Sequence, residues 1–327
     1  MESNQLPLVS IQCLVYNHEP YLRQCLDGFV MQKTNFKFEA IVHDDVSTDG
    51  SAAIIREYAE KYPDIIKPIF ETENQYSKKD GSLERIMSEA CRGKYTAICE
   101  GDDYWVDPMK LQKQVDFIAT HNNCGLVYTA YRQQNEITNT SCDIFTDPKV
   151  KQDEKFKWNL LEHKVIVGTC TTLIESQLMR QILEIRDDFE GYKMGDTQLW
   201  FNASRIKGVG YIPEITAIYR KQQSGATSYF NTTSRISFVE NCLDLHLHLA
   251  YKYGAPQKTI NNIKIIYGAS LIQYYMNISE YNQALIINKN NLCNNLLIRC
   301  FIQFAKIFKI QGMKGLWRLI NIQKLIK

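Results

Sequence analysis

The 327-residue chain is short of several things. It has no run of about 20 uninterrupted apolar residues, which excludes an obvious membrane-spanning helix. Its N-terminus, MESNQLPLVSIQCL, lacks a basic stretch and a small-residue cleavage site, so no secretory signal is expected. The ten cysteines include no Cys-x-x-Cys pair, which argues against a zinc site or a disulfide framework and fits a reducing cytosol with buried thiols. The six histidines lack ligand spacing. No internal repeat or low-complexity tract is present. A net charge of +2 gives no bulk-charge case for nucleic acid.

That small net charge hides an asymmetry. Glu280 is the last acidic residue, and eight bases follow it, from Lys289 to Lys327, leaving residues 1–280 at −6. Hydrophobic residues make up 45% of the chain and charged residues 23%, the composition of a globular protein able to bury a large core. The length suits two domains, or one large domain with an appendage.

Strand and helix alternate through the first hundred residues. Residues 8–15 (LVSIQCLV) read as a buried strand, and a helix follows from Pro20 to about Met31. A second strand at 37–43 leads through an Asp- and Ser-rich loop, in which Asp49 or Ser51 can cap a helix over 51–62. Strands at 65–70 and 95–99 flank a helix at 82–91. Such alternation predicts a parallel α/β sheet, in which ligands bind at the carboxyl ends of the strands. Beyond it, a helix is expected over 108–120 and a strand over 125–130, with irregular chain over 131–160. A strand is expected over 165–174, helices over 175–185 and 194–206, and strands at 209–212 and 215–219. From about 232 the pattern is helical to the end.

Acidic clusters fall at the strand ends: Asp44-Asp45 after the second strand, and Glu100-Gly101-Asp102-Asp103 after the fourth. Three carboxylates in four residues repel one another unless solvated or neutralised by a cation. Hard divalent ions take oxygen ligands and share them with substrate phosphates. A solvated acidic turn and a cation site are both open on that cluster alone. Tyr16-Asn17, ending the first strand, has the chemistry to stack on a base or to pack in the core.

The segments VSIQCLVYN, VHDDVSTDGS and CEGDDYWVDPMKLQKQV, in that order, resemble the nucleotide-binding half of the family 2 glycosyltransferases. The resemblance covers about residues 6–220. It implies an α/β GT-A fold with a mainly parallel central sheet, here with a helical extension at the C-terminus. The corresponding division is a catalytic domain over 1–228, with a nucleotide half to about 130 and an acceptor half over 131–228, followed by a helical extension over 229–327. It implies a nucleotide-sugar donor, UDP-linked by family habit, and a divalent Mn or Mg ion at a DXD-type motif. On this pattern Tyr16 stacks on the nucleobase, Glu19 touches the nucleotide, and one of Asp44 and Asp45 hydrogen-bonds the base. Glu100 takes the first acidic position of the DXD region. Asp102 and Asp103 follow it as contacts to ribose and metal, with both carried as metal ligands.

Gly195-Asp196 resembles the motif that supplies the catalytic base, and the plain alternative for Asp196 is a helix cap. A base there removes a proton from an acceptor hydroxyl opposite the leaving nucleotide, which implies inversion. Arg220, in Tyr219-Arg220 ahead of Ser224-Gly225-Ala226-Thr227-Ser228, is a candidate contact to the diphosphate. Thr169–Thr172 has the hydroxyls to bind sugar or to line a buried strand, and Trp105 and Trp200 suit sugar stacking or packing. Arg85 stands where relatives carry Asn. The basic amphipathic tail suits the cytoplasmic face of an anionic membrane, and a glycan or lipid-linked acceptor would lie there; packing on the catalytic domain or a partner is the alternative. The expected role is transfer to a hydroxyl of a bacterial surface polysaccharide. A catalytically silent subunit, or a sugar nucleotidyltransferase, is the alternative; YNHEPYLR after the first strand lacks the Gly-rich phosphate loop of the latter.

Overall fold

The computed structural model describes residues 6–150, 152–185, 192, 194–222, 232–291, 298–300, 302, 303 and 306. Ser224–Ser228 and the tail beyond residue 306, singled out above, lie outside the described residues. The chain forms two compact units. The first comprises Met1–Lys157, Val165–Asp188 and Asp196–Gln223. The second comprises Trp158–Lys164, Phe189–Gly195 and Ser224–Lys327.

A mixed sheet organises the first unit. The strands are β1 (Val9–Val15), β2 (Phe38–Asp44), β3 (Ile66–Phe70), β4 (Tyr95–Ile98), β5 (Tyr104–Trp105), β6 (Cys124–Asn135), β7 (Thr140–Ile144), β8 (Leu173–Glu175) and β9 (Gly208–Lys221). Their order is β3-β2-β1-β4-β8-β6-β9-β5, with β7 on β6. The block β3-β2-β1-β4 is parallel. Strand β8 then runs antiparallel to both β4 and β6. Helices α1 (Glu19–Val30), α2 (Ser51–Lys61), α3 (Ser82–Ala90), α4 (Lys110–Thr120), α5 (Phe156–Leu161), α6 (Ser176–Glu184) and α7 (Gly195–Ile206) connect the strands. In α1, Leu22, Cys25, Leu26 and Phe29 fall at helical spacing and are fully buried against the β1 side chains Ile11, Cys13 and Val15. The scattered cysteines in this unit include Cys13, Cys25, Cys99 and Cys170, all free and buried as small apolar residues.

The second half of the sheet differs from the sequence expectation for local reasons. Residues 165–174 do not run as one strand: Thr169–Thr171 form a 3-10 turn. Thr171 Oγ1 donates to the Gly168 carbonyl (2.6 Å) and Thr172 Oγ1 to the Thr169 carbonyl (2.9 Å), bonds that compete with a ladder. The polar stretch after residue 130 is largely a hairpin, because β6 continues to Asn135 and pairs with β7, with Arg132 and Asp143 joined across it. The expected strands at 209–212 and 215–219 are one strand, β9, broken by a bulge at Pro213 and Glu214. Thr129 pairs with Ile212, and Ala130 pairs with Ile215. Proline cannot donate to the ladder, so a bulge is where it fits.

The loops after β1 and β2 are stitched together. Asn17, left-handed at φ +55, accepts from the Thr48 amide through Oδ1 (2.7 Å) and donates its own amide to Ser47 Oγ (3.0 Å). The His18 amide donates to Ser51 Oγ, and the Glu19 amide to Asp49 Oδ2, each at 3.0 Å. In return the Gly50 amide, at the head of α2, donates to Glu19 Oε2 (2.8 Å), and the Ser51 amide to Asp49 Oδ1 (3.0 Å). Glu19 and Asp49 thus satisfy orphan amides at the starts of both α1 and α2. A Cβ on Gly50 would meet Glu19 Oε1 at 2.5 Å, so a side chain there would displace the Glu19 carboxylate from this amide.

In the second unit, α8 (Thr232–Lys252), α9 (Gln257–Asn277) and α10 (Tyr281–Asn291) form a helical array. Ile272, Met276, Tyr281 and Ala284 bury together with Ile298 and Ile302. Glu162 is anchored in this unit by Thr259 Oγ1 and Asn262 Nδ2, both at 2.7 Å, and by Lys164. His163 Nε2 lies 2.6 Å from the Tyr267 hydroxyl, which also contacts the His246 ring, and His246 Nδ1 lies 3.0 Å from the Leu161 carbonyl. Among the described residues, no helix is long and apolar enough to cross a membrane.

Two predictions follow from these contacts. Glu19→Ala should lower unfolding stability by about 1 kcal/mol in a denaturant titration, the usual loss on removing a helix-end hydrogen bond. Burial, then the neighbouring His163, push the His246 imidazole down to about 3. A folded-state value below the unfolded one means the unfolded chain binds the proton more readily. The helical unit should therefore lose stability as pH falls from about 6.5 towards 3, by at most about 1.4 kcal/mol per pH unit from this group. Helical circular dichroism against pH checks it: His246→Gln should flatten the acid limb, and an unchanged limb would discount the histidine.

Candidate active site

The carboxyl ends of β1, β2 and β4 lie side by side, and they carry the acidic clusters. Asp44 is the last residue of β2, in register with Val15, and Tyr16 follows Val15 directly. Tyr16 is half exposed. Beyond β4 the chain stays on β1: the Cys99 amide donates to the Gln12 carbonyl and the Gly101 amide to the Leu14 carbonyl, each at 3.0 Å. The acidic turn is thereby set beside Tyr16. Gly101 is required here, since a Cβ would stand 2.8 Å from His18 Nδ1 and 3.0 Å from Val15 Cγ2.

The two carboxylates after β2 have different surroundings. Asp45 is buried with both oxygens engaged, Oδ1 by the Gln75 amide (2.6 Å) and Oδ2 by the Tyr76 amide (3.0 Å), which folds the 71–80 loop over the strand end. Asp44 is also buried, yet its Oδ1 has no hydrogen-bond partner among the described residues. A buried polar atom without a partner is costly, so it marks a place for a ligand donor.

The acidic turn divides in the same way. Asp103 is buried, and its Oδ1 accepts the Arg220 amide at 2.8 Å. Burial, then the Asp102 charge, push its carboxyl well above the usual range. Asp102 is partly exposed, with Oδ2 accepting from Gln222 Nε2 at 2.8 Å. Glu100 reaches solvent, but protein surrounds it closely enough to strip part of its hydration. That burial, together with the charges of Asp102 and Asp196, pushes its carboxyl up to about 7. The Asp196 charge acts on Glu100, which ties α7 to the group. Asp196 reaches solvent in the first turn of α7, with Oδ1 accepting the Thr197 amide at 2.7 Å, and the protein packed around it pushes its carboxyl up.

Of the residues expected to line the site, Tyr16, Asp44, Glu100, Asp102 and Asp196 present open groups. Glu19 is engaged by Gly50, Asp45 by the 71–80 loop, and Asp103 by the β9 end. The Arg220 guanidinium is buried and bonded to the Asp102 carbonyl (2.7 Å) and Gln24 Oε1. Trp105 is packed in the core on Phe29, with Nε1 donating to the Cys170 carbonyl (2.8 Å), and Trp200 is also buried. Sequence reading missed His18, whose Nδ1 is buried without a partner among the described residues and whose pKa is pushed down by burial against the pull of Asp102 and Asp49. It also missed Gln24 and Gln222, which no sequence pattern distinguishes.

Among the described residues, no three His, Cys, Asp or Glu side chains converge to cage an ion. The donor set still fits a hard cation shared with a phosphate ligand, because Asp102 offers an anionic oxygen at the open side of the turn.

Residues 10–179 match the model of glycosyl transferase family 2. An uncharacterized protein of Mycobacterium tuberculosis is 46% identical over 113 residues, 35% of this chain and 32% of that protein. The chain thus matches about a third of the length of this relative. The putative teichuronic acid biosynthesis glycosyltransferase TuaG of Bacillus subtilis is 28% identical over 182 residues, 55% of this chain and 67% of TuaG. In fold the chain resembles the mannosyltransferase PcManGT of Pyrobaculum calidifontis, with a TM-score of 0.58 and 18% identity over 99% of this chain and 86% of that one. It also resembles TarS of S. aureus, with a TM-score of 0.57 and 14% identity over 92% of both chains. The curled mixed sheet is that of the GT-A glycosyltransferases, and the chain belongs to glycosyl transferase family 2.

Proposed function

We propose that this chain is an inverting glycosyltransferase that moves a sugar from a UDP-linked donor to a hydroxyl of a glycan or lipid-linked acceptor in surface polysaccharide synthesis. The observation that carries this reading is the set of open groups at three adjacent strand ends: an exposed aromatic, a buried carboxylate oxygen without a partner, and an anionic turn close to a base on α7. Tyr16 stacks on the base, and Asp44 Oδ1 accepts a ring imide N–H, the hydrogen bond it otherwise lacks. TarS in complex with UDP-GlcNAc and PcManGT with GDP-Man and Mn²⁺ share the fold, and TuaG is named for teichuronic acid synthesis.

Asp102 would hold a Mn²⁺ or Mg²⁺ ion, while Asp103 fixes the turn behind it. When bound, such an ion would supply positive charge where the departing phosphate gains negative charge. Glu100, in the first acidic position of the turn, contacts the ribose in this reading. Asp196 takes the proton from the acceptor hydroxyl as its oxygen bonds to the anomeric carbon and the bond to the diphosphate breaks. Its raised affinity for protons suits that task. One displacement from the face opposite the leaving group inverts the anomeric centre.

The bases after Glu280 complement anionic lipid, so the C-terminal segment is assigned to peripheral contact with the cytoplasmic membrane face, where a lipid-linked acceptor resides.

Thermal shift tests the donor site. UDP with Mn²⁺, at 100 times its Kd, should stabilise the protein by about 2.7 kcal/mol. EDTA should reduce the shift, and no shift with any nucleotide would favour a silent subunit. Asp196→Asn should cut turnover by roughly 10²- to 10⁴-fold while leaving UDP binding intact. Unchanged turnover would remove Asp196 from the role of base.

A further inference from the structure

Arg220 is buried at the end of β9, with about 6% of its surface exposed. All three guanidinium nitrogens are engaged. One terminal nitrogen donates to the Asp102 carbonyl at 2.7 Å, and the other to Gln24 Oε1 on α1. Nε pairs with Glu136, just beyond β6, at 3.4 Å. The guanidinium carbon lies 4.3 Å from the Tyr104 ring centroid and 5.1 Å from that of Tyr21. Each guanidinium nitrogen thus already holds a protein partner, and the side chain is buried away from the open side of the turn.

The pattern of contacts with the acidic turn is informative. The guanidinium takes a backbone carbonyl of the turn and none of its carboxylates, so it fixes geometry without neutralising Asp102. The same strand end supplies two further ties: the Arg220 amide on Asp103 Oδ1 and Gln222 Nε2 on Asp102 Oδ2, both at 2.8 Å. The turn is thus held at one main-chain and two side-chain points from β9, with Arg220 extending the hold to α1 and β6. Lysine cannot reproduce this, because an ammonium lacks the planar fork that reaches Asp102, Gln24 and Glu136 at once.

We propose that Arg220 is a positioning residue, which aims the Asp102 carboxylate at the shared cation and does not itself bind the donor. This rests on the donor reading above. The reading predicts a specific signature. The base is contacted elsewhere, at Tyr16 and Asp44, and Glu100 is tied to β1 through the Cys99 and Gly101 amides on either side of it, so loss of Arg220 should weaken only the part of nucleotide binding that depends on the metal.

The test measures affinities for uridine and UDP, each in EDTA and in Mn²⁺, by calorimetry on wild type, Arg220→Lys and Gln24→Ala, with circular dichroism to confirm folding. Wild type should bind UDP more tightly with Mn²⁺ than with EDTA. In Arg220→Lys that gain should shrink by roughly tenfold or more, the scale of one lost charged hydrogen bond. Its affinity for uridine, and for UDP in EDTA, should stay within about twofold. Gln24→Ala should show a smaller loss of the same gain. A drop in UDP affinity in EDTA with uridine unaffected would overturn the proposal in favour of a direct diphosphate contact. A Mn²⁺-dependent gain that survives Arg220→Lys would overturn it in favour of a purely structural role. If Arg220→Lys does not fold, Gln24→Ala decides, and an undiminished gain there overturns it. Wild type that binds neither uridine nor UDP would defeat the donor reading, and this proposal with it.

Discussion

Three carboxylates within four residues repel one another, and the active end of the sheet is built around containing that repulsion. The acidic turn of Glu100 to Asp103 is tied to β1 by main-chain bonds from Cys99 and Gly101, and to β9 through Arg220 and Gln222. None of these ties removes the charge of Asp102. Burial, then the charges of Asp102 and of Asp196 on α7, push the Glu100 carboxyl up to about 7. Under the proposed role that residual negative charge serves a cation, and the backbone anchoring makes it tolerable.

The acidic residues divide into two kinds. Asp45, Asp103, Asp49 and Glu19 accept main-chain amides and hold loops in place. Asp44, Asp102 and Asp196 sit next to them with oxygens facing a ligand position in the proposed mechanism. An acidic pair at a strand end supplies both a fastener and a functional group, since a carboxylate accepting two amides orders a loop strongly. The same chemistry serves the helical unit, where buried Glu162 is anchored by Thr259, Asn262 and Lys164.

Much of this was legible before folding. Apolar β-branched runs and helical spacing mark β1 to β4 with α1 to α4, because the hydrophobic period directly reports which face is buried. Strand ends that terminate in Asp44-Asp45 and Glu100–Asp103 mark where the proposed donor site lies. The hairpin of β6 with β7, the bulge at Pro213 and Glu214, and the 3-10 turn at Thr169–Thr171 were not legible. They depend on pairing between distant segments and on hydroxyl-to-carbonyl bonds that no local pattern encodes.

The sequence by itself determined the alternation of strands and helices, the family, and which strand ends carry acid, since each is a property of residue order. Tertiary structure alone decided which carboxylate of each pair stays open, and that Arg220 turns inward. Those outcomes depend on which amide or side chain arrives from a remote part of the chain: Gln75 at Asp45, Arg220 and Gln222 at Asp103 and Asp102, Gln24 at Arg220. Hydrogen bonding is directional and short in range, so the partner, and with it the role, is fixed only when the chain has folded.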